Sequence, residues 1–350
     1  MKRELFGVLN GTDVYLYRLR NRLGTEIALT NYGATMVSCL TRDRRGEMVD
    51  IVLGFRTLAE YVESPAYFGA TVGRYANRIA NARVVVDDRV YELSRNDGPH
   101  HLHGGQCGFD KSMWKTEAAD NTFVTFALIS PDGDQGYPGR LDVRVTYTLT
   151  DADQVGITYE AATDKSTPVN LTHHSYFNLR GEGVGDVLDH DLMIHARSYT
   201  PVREDLVPTG DIAPVEGTPL DFRRPSRIGL RIDDGDSQLR YAGGYDHNYV
   251  LEGGMGDLRA VARLSEAESG RTLEVATTEP GLQLYIGNFL DGTLMAKSDT
   301  GRRYVRHGGV CLEPQHFPDS PNQPHFPNTV LRAGQRFSSQ TVLTFGTAED

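Results

Sequence analysis

Apolar and polar residues alternate with a period of two along much of this chain. The clearest case is 141–150, where Leu141, Val143, Val145, Tyr147 and Leu149 interleave with Asp142, Arg144, Thr146, Thr148 and Thr150. Successive side chains of a strand point to opposite faces, so this pattern predicts one face on a core and the other in water. After Asp151-Ala152-Asp153 the chain returns through 155–159, which predicts an antiparallel hairpin. Earlier, 14–17 and 25–29 read as a first strand pair, and 49–53 as a strand ending at Gly54. A tight hairpin is predicted for 84–93 across Asp87-Asp88, without the favoured glycine in its turn. Further short runs follow at 191–195, 247–251, 258–264, 272–277, 282–286 and 309–313.

Only one helix start is convincing. Thr57 with Glu60 forms a capping box, Leu58 and Tyr61 share a face, and Pro65 ends the segment. Strands that recur without amphipathic helices between them exclude a parallel βαβ architecture. The expected fold is all-β, a single large antiparallel β-sandwich with few short helices. Long connections at 96–113, 200–225 and 315–328 are where binding groups are expected on such a scaffold.

Composition narrows the partners. With 47 acidic and 36 basic residues the formal charge is −11, which argues against nucleic acid or an anionic membrane surface. Cys39, Cys107 and Cys311 are too few and scattered for a disulfide framework, as in a reducing compartment. The first residues lack an apolar signal region, and no run approaches the roughly 18 apolar residues of a membrane span. A cytoplasmic location is expected.

The densest chemistry is Asn170-Leu171-Thr172-His173-His174-Ser175-Tyr176-Phe177-Asn178-Leu179, a polar cluster inside an apolar, strand-like run. Such groups are costly to bury without partners. Four further stretches share the character: Gly73 to Ile79, Asn96 to Gly105, Gly244 to Tyr249 and Leu312 to Asp319. Together they offer Arg, Asn, His, Asp, Gln and Glu beside aromatic rings, an inventory suited to a neutral polyhydroxylated ligand. His101-x-His103 could open a metal set, but Cys107-Gly108 fills the place of the next carboxylate, and no metal is expected. Asp132-Gly133-Asp134 lacks the later ligands of a calcium loop. No phosphate-binding loop or nucleophile elbow is present. What remains is acid–base chemistry by a histidine and a carboxylate.

These stretches, in this order, resemble the galactose mutarotases, or aldose 1-epimerases. Asn170 to Leu179 is close to that family's N-x-T-N-H-x-Y-F-N-L. Leu102-His103-Gly104-Gly105, Gly108-Phe109-Asp110-Lys111 before Trp114, and Asp134-Gln135-Gly136-Tyr137-Pro138-Gly139 also match in order. So do Tyr199-Thr200-Pro201, Pro208-Thr209-Gly210, Gly217-Thr218-Pro219, Gly244 to Asn248, and Glu313 to Asn322. The likeness runs from about Phe6 to Thr344, practically the whole chain. His173 stands where the family more often has Asn, and Pro314 and His325 replace an expected Thr and Asn.

The resemblance implies one aldose 1-epimerase domain over 1–350, working on a small aldose without metal or cofactor, as monomer or homodimer. It implies Glu313 as base and His174 as acid, with Asn77, Arg78, His103, Asp246 and Gln283 contacting the sugar. A base takes the anomeric proton while an acid protonates the ring oxygen, each step contributing about 10²–10⁴-fold. Attraction between the two groups is expected to outweigh burial, lowering the glutamate's pKa and raising the histidine's. His173 is expected beside the acid as a second imidazole. Arg78 has a surface salt bridge as its bland alternative. His100, His101 and His316 read as loop histidines, and Trp114 and Tyr176 as packing residues. A hexose-6-phosphate epimerase would need extra basic residues at the mouth. A silent sugar-binding protein of this fold would lack Glu313 or His174. In a glycoside hydrolase using Asp246 and Glu313, His174 would have no role.

Overall fold

The strand 141–150 forms, and it lies inside the largest sheet of the molecule. The computed structural model describes residues 1–298 and 301–348. Leu141–Leu149 pairs with Gln154–Thr163 in the hairpin read from the alternation, with Tyr147 opposite Ile157. The sheet has nine antiparallel strands, and Arg336–Thr347 crosses its middle between Gln154–Thr163 and Arg271–Thr277. That central strand escaped the apolar pattern for a physical reason. Its inward positions include Ser339 and Thr341 besides Leu343 and Phe345, and the Thr341 hydroxyl is bonded to that of Thr277 at 3.2 Å.

Two five-stranded sheets complete the architecture. One is the N-terminal meander Lys2–Leu9, Thr12–Arg20, Glu26–Thr30, Thr35–Arg42 and Met48–Asp50. The other runs in the order Ala213–Pro214, Ala196–Tyr199, Asp246–Leu251, Gly281–Tyr285 and Cys311–Gln315; we refer to it as the pocket sheet. One apolar core joins all three: Leu29 and Met36, Val145 and Tyr147, and Leu282, Leu284 and Leu312 are buried in a single cluster. The sandwich expectation holds.

Helix is confined to short pieces. Leu58–Glu63 carries the expected capping box, with Thr57 N–H donating to Glu60 at 2.9 Å and Glu60 N–H to the Thr57 hydroxyl at 3.3 Å. A second helix, Ser237–Ala242, is capped by Asp236 and stopped by Gly243 at φ 67°; six residues are too few to show a period. The hairpin of Arg83–Val86 and Arg89–Glu92 turns through Asp87 and Asp88, both left-handed at φ 49° and 60°, a conformation Asp tolerates better than most residues.

One expectation is corrected. The stretch 170–179 is not one continuous strand: Thr172–His173 pairs with Thr71–Val72, and Asn170 and Phe177 make isolated bridges, to Tyr75 and to Val52 and Val310. The rest bends between sheets, held by scattered backbone bonds such as Asn178 N–H to the Ile51 carbonyl at 2.8 Å and by its own side chains. Asn170 Nδ2 donates to the carbonyls of Ala76 and His316 at 3.1 and 3.2 Å.

Candidate active site

The pocket sheet presents an ordered row of polar groups on one face. Alternation along Asp246–Leu251, Gly281–Tyr285 and Cys311–Gln315 puts Asp246, Gln283 and Glu313 on that face, with Leu282, Leu284 and Leu312 turned to the core. Register sets Gln283 directly opposite Glu313, and Asp246 opposite Tyr285. Gln283 Nε2 donates to Asp246 Oδ1 at 2.6 Å. Loops supply the facing wall.

There, Asn77 and His103 brace each other: His103 N–H donates to the Asn77 carbonyl at 3.0 Å, and Asn77 N–H donates to His103 Nδ1 at 3.1 Å. Both lie in the left-handed region, at φ 64° and 51°. For a histidine this is strained backbone, costing about 1–3 kcal/mol and held only by surrounding structure.

These walls enclose a cavity of about 260 Å³ lined by Asn77, Arg78, His103, His174, Asp246 and Glu313. Six of the seven residues named from the sequence thus line one pocket, and Gln283 stands behind Asp246. Arg78 is buried, bonding Asp97 at 2.8 Å and lying 3.8 Å from Asp246, so it is no surface ion pair.

At the centre, His174 Nε2 lies 3.6 Å from Glu313 Oε2, both side chains buried. That distance is too long for a hydrogen bond, and Glu313 Oε2 has no hydrogen-bond partner among the described residues. Each group keeps bonding capacity for a ligand. Burial pushes the Glu313 carboxyl well above the usual carboxylate range, helped by Asp246 and opposed by Arg78. Burial also pushes His174 down to about 4, partly offset by its own backbone carbonyl. Asp246 is raised by burial too, against Arg78 and Gln283. The expected dominance of attraction over burial is therefore overturned, because both partners are almost wholly withdrawn from water.

Three sequence readings change. His173 does not flank the acid. Its Nε2 bonds the Ser175 hydroxyl at 2.6 Å and its Nδ1 the Tyr147 hydroxyl at 3.2 Å, and burial lowers its pKa to about 3. Tyr176 packs against Phe68 but also lines the pocket, stacked on His174 at 5.1 Å. His100 and His316 lie in connections as read, whereas His101 belongs to the short strand His101–Leu102; all three are buried and bonded, His100 Nδ1 accepting from Asn81 N–H, His101 bonding Ser94 and Tyr137, and His316 pairing with Glu279 at 2.7 Å. Trp114 packs on Phe109 as expected. The sequence reading missed Tyr67 and the apolar rim of Pro65, Phe289 and Leu294, since isolated apolar residues in loops carry no periodic signal, and it missed Tyr285, which lies in a strand read correctly but turns its ring to the pocket.

The comparisons with known proteins bear on this pocket. The sequence profile of aldose 1-epimerase matches residues 15–344. The chain belongs to the aldose 1-epimerase family. It is 46% identical over 349 residues to galactose mutarotase of Rattus norvegicus, covering 99% of this chain and 98% of the relative. It is 40% identical over 338 residues to aldose 1-epimerase of Escherichia coli, covering 96% of each. Among solved structures, an aldose epimerase homologue from C. elegans superposes with a TM-score of 0.88 at 31% identity, over 95% of this chain and 99% of that one. Galactose 1-epimerase from Lactobacillus acidophilus gives 0.87 at 29% identity, covering 99% of each.

In this aldose 1-epimerase the pocket also offers a metal-like spacing: ligand atoms of His103, His174 and Glu313 lie within 4.8 Å of one another. The donor set does not fit an ion. His103 Nδ1 accepts the Asn77 amide proton, so the neutral ring carries its own proton on Nε2. That nitrogen is a donor available to a ligand oxygen, not a lone pair for a metal. Burial, with His174 nearby, holds His103 well below its usual pKa and keeps it in this neutral form.

Proposed function

We propose that this chain interconverts the α and β anomers of free aldohexoses such as galactose and glucose, with Glu313 as base and His174 as acid. The observation that carries the reading is the His174–Glu313 pair, 3.6 Å apart with unspent bonding capacity in a sugar-sized cavity. In the sugar complex Glu313 takes the proton of the anomeric hydroxyl and His174 Nε2 gives its proton to the ring oxygen. The bond from C1 to the ring oxygen breaks and C1 becomes a carbonyl. Rotation about C1–C2 presents the other face, and the same two transfers run backward to close the ring.

The pair's environment suits this cycle. A carboxylate with an imidazolium and a carboxylic acid with a neutral imidazole hold the same number of protons. Burial favours the second arrangement, which is the one the pair reaches when the ring opens. The resting pair therefore passes its proton from Glu313 to His174 before the ring opens, and the opening step returns the pair to the arrangement that burial favours. Asp246, steadied by Gln283, is suited to accept hydroxyl protons, and Asn77, Arg78 and His103 to donate to hydroxyl oxygens.

The hexose-6-phosphate alternative is disfavoured by charge. Among the described residues Arg78 is the one Lys or Arg lining the cavity, and it is already engaged by Asp97 and Asp246. The non-catalytic alternative leaves the buried Glu313–His174 pair without a purpose. We place the chain, acting as one unit over 1–350, in the cytoplasm as monomer or homodimer. Its three cysteines are free, and among the described residues no helix is long and apolar enough to cross a membrane.

Polarimetry of freshly dissolved α-galactose, α-glucose and glucose 6-phosphate tests the assignment. Acceleration of the first two with little effect on the third is expected; acceleration of the phosphate alone, or of none, would refute it.

A further inference from the structure

We propose that Cys311 is a positioning residue for His174: its sulfur accepts the Nδ1 proton, so that Nε2 is the nitrogen that gives and takes the catalytic proton. The inference rests on the reading of His174 as the acid. Cys311 Sγ lies 3.6 Å from His174 Nδ1, within reach of a hydrogen bond to sulfur, and Cys311 is fully buried on the pocket sheet, opposite Tyr285. The imidazole plane is already fixed by near-parallel contact with Tyr67 and Tyr176, at 5.7 and 5.1 Å with interplanar angles of 24° and 25°. With the plane set, the partner at the ring edge decides which nitrogen carries a permanent proton.

The proton count makes that choice matter. An imidazolium that gives up its Nε2 proton becomes neutral with the other proton on Nδ1. If Nδ1 instead accepted a proton from the thiol, the neutral ring would hold its proton on Nε2, and each turnover would have to break that bond and swap tautomers. A sulfur acceptor for Nδ1–H leaves the edge unchanged in both charge states. The carbonyl of His174 itself also favours the protonated ring, but it is shared with the Gly69 N–H at 2.9 Å, so the sulfur is the side-chain acceptor at this edge. A carboxylate in this place would stabilise the imidazolium and make it a poorer acid. Burial holds the Cys311 thiol neutral, well above its ordinary pKa, so it adds no such charge. The other titratable groups around the ring are Glu313, His103, His173, Tyr67, Tyr176 and Tyr285.

The test is nitrogen-15 NMR of labelled protein at neutral pH, with steady-state kinetics, on wild type, Cys311→Ala and Cys311→Ser. Wild-type His174 should be neutral with its proton on Nδ1. Cys311→Ala should move the proton toward Nε2, the form free imidazole side chains prefer, and lower kcat about tenfold with little change in KM. Cys311→Ser, which restores an acceptor of similar size, should recover most of both signals. A wild-type proton on Nε2, or an unchanged tautomer and kcat in Cys311→Ala, would overturn the proposal. Failure of the catalytic reading looks different: His174→Gln would keep wild-type activity whatever the tautomer.

Discussion

His174 Nε2 faces Glu313 Oε2 across 3.6 Å, with both side chains out of water. Attraction favours charging this pair and burial favours neutralising it; with both groups buried, burial wins. The two residues therefore titrate as a unit that holds one proton over a wide pH range, and its apparent pKa values belong to the pair.

The pH profile of kcat/KM should reflect that single proton. The pair takes up a second proton only in acid, His174 being pushed down to about 4. It loses its one proton only when pH passes the raised Glu313 value. Activity should thus show a broad plateau with an acid limb near the histidine's lowered pKa. A narrow bell centred near the ordinary histidine value of about 6.5 would contradict this.

Replacing His173 by Asn should leave the alkaline limb in place. His173 is kept neutral by burial and by the neighbouring His174, and both its ring nitrogens are engaged by Tyr147 and Ser175. The cost should fall on stability instead, about 1–3 kcal/mol for buried partners left unpaired, read as a lower melting temperature. A shifted limb would show that His173 acts on the catalytic pair.

Gln283→Leu should weaken sugar binding. It removes the 2.6 Å donor that steadies Asp246. A hydrogen bond to a charged group contributes about 1.5–3 kcal/mol, or roughly 10–100-fold in kcat/KM. A change within about twofold would show that Asp246 is held well enough by Arg78.

Exhaustive chelation should leave the rate unchanged, because Asn77 N–H occupies His103 Nδ1 and keeps the other nitrogen protonated. Loss of activity restored by one divalent ion would reverse that conclusion.

Strands with apolar inward faces, such as Leu141–Leu149, were legible from period alone, as was the capped helix at Thr57. Arg336–Thr347 was not, since hydroxyl residues occupy part of its core face. The site residues were legible one by one, as polar clusters and by family resemblance. Their electrostatics were not. Whether attraction or burial governs Glu313 and His174 depends on how deeply the fold encloses them, and no local pattern encodes that. The role proposed for Cys311 was hidden for the same reason: its partner lies 137 residues away in the chain.

The most direct measurement is polarimetry of Glu313→Gln, paired with thermal melting across pH. The amide keeps the shape and removes the base, so kcat/KM should fall by at least about 10². Stability should move the other way above about pH 6.5. In the unfolded wild type both groups have lost their protons there, whereas the folded pair still holds one. Wild-type stability therefore declines as pH rises, and the variant's does not. The account predicts an inactive variant whose melting temperature gains on wild type with rising pH. A variant within about threefold of wild-type activity would contradict the central claim that Glu313 is the base.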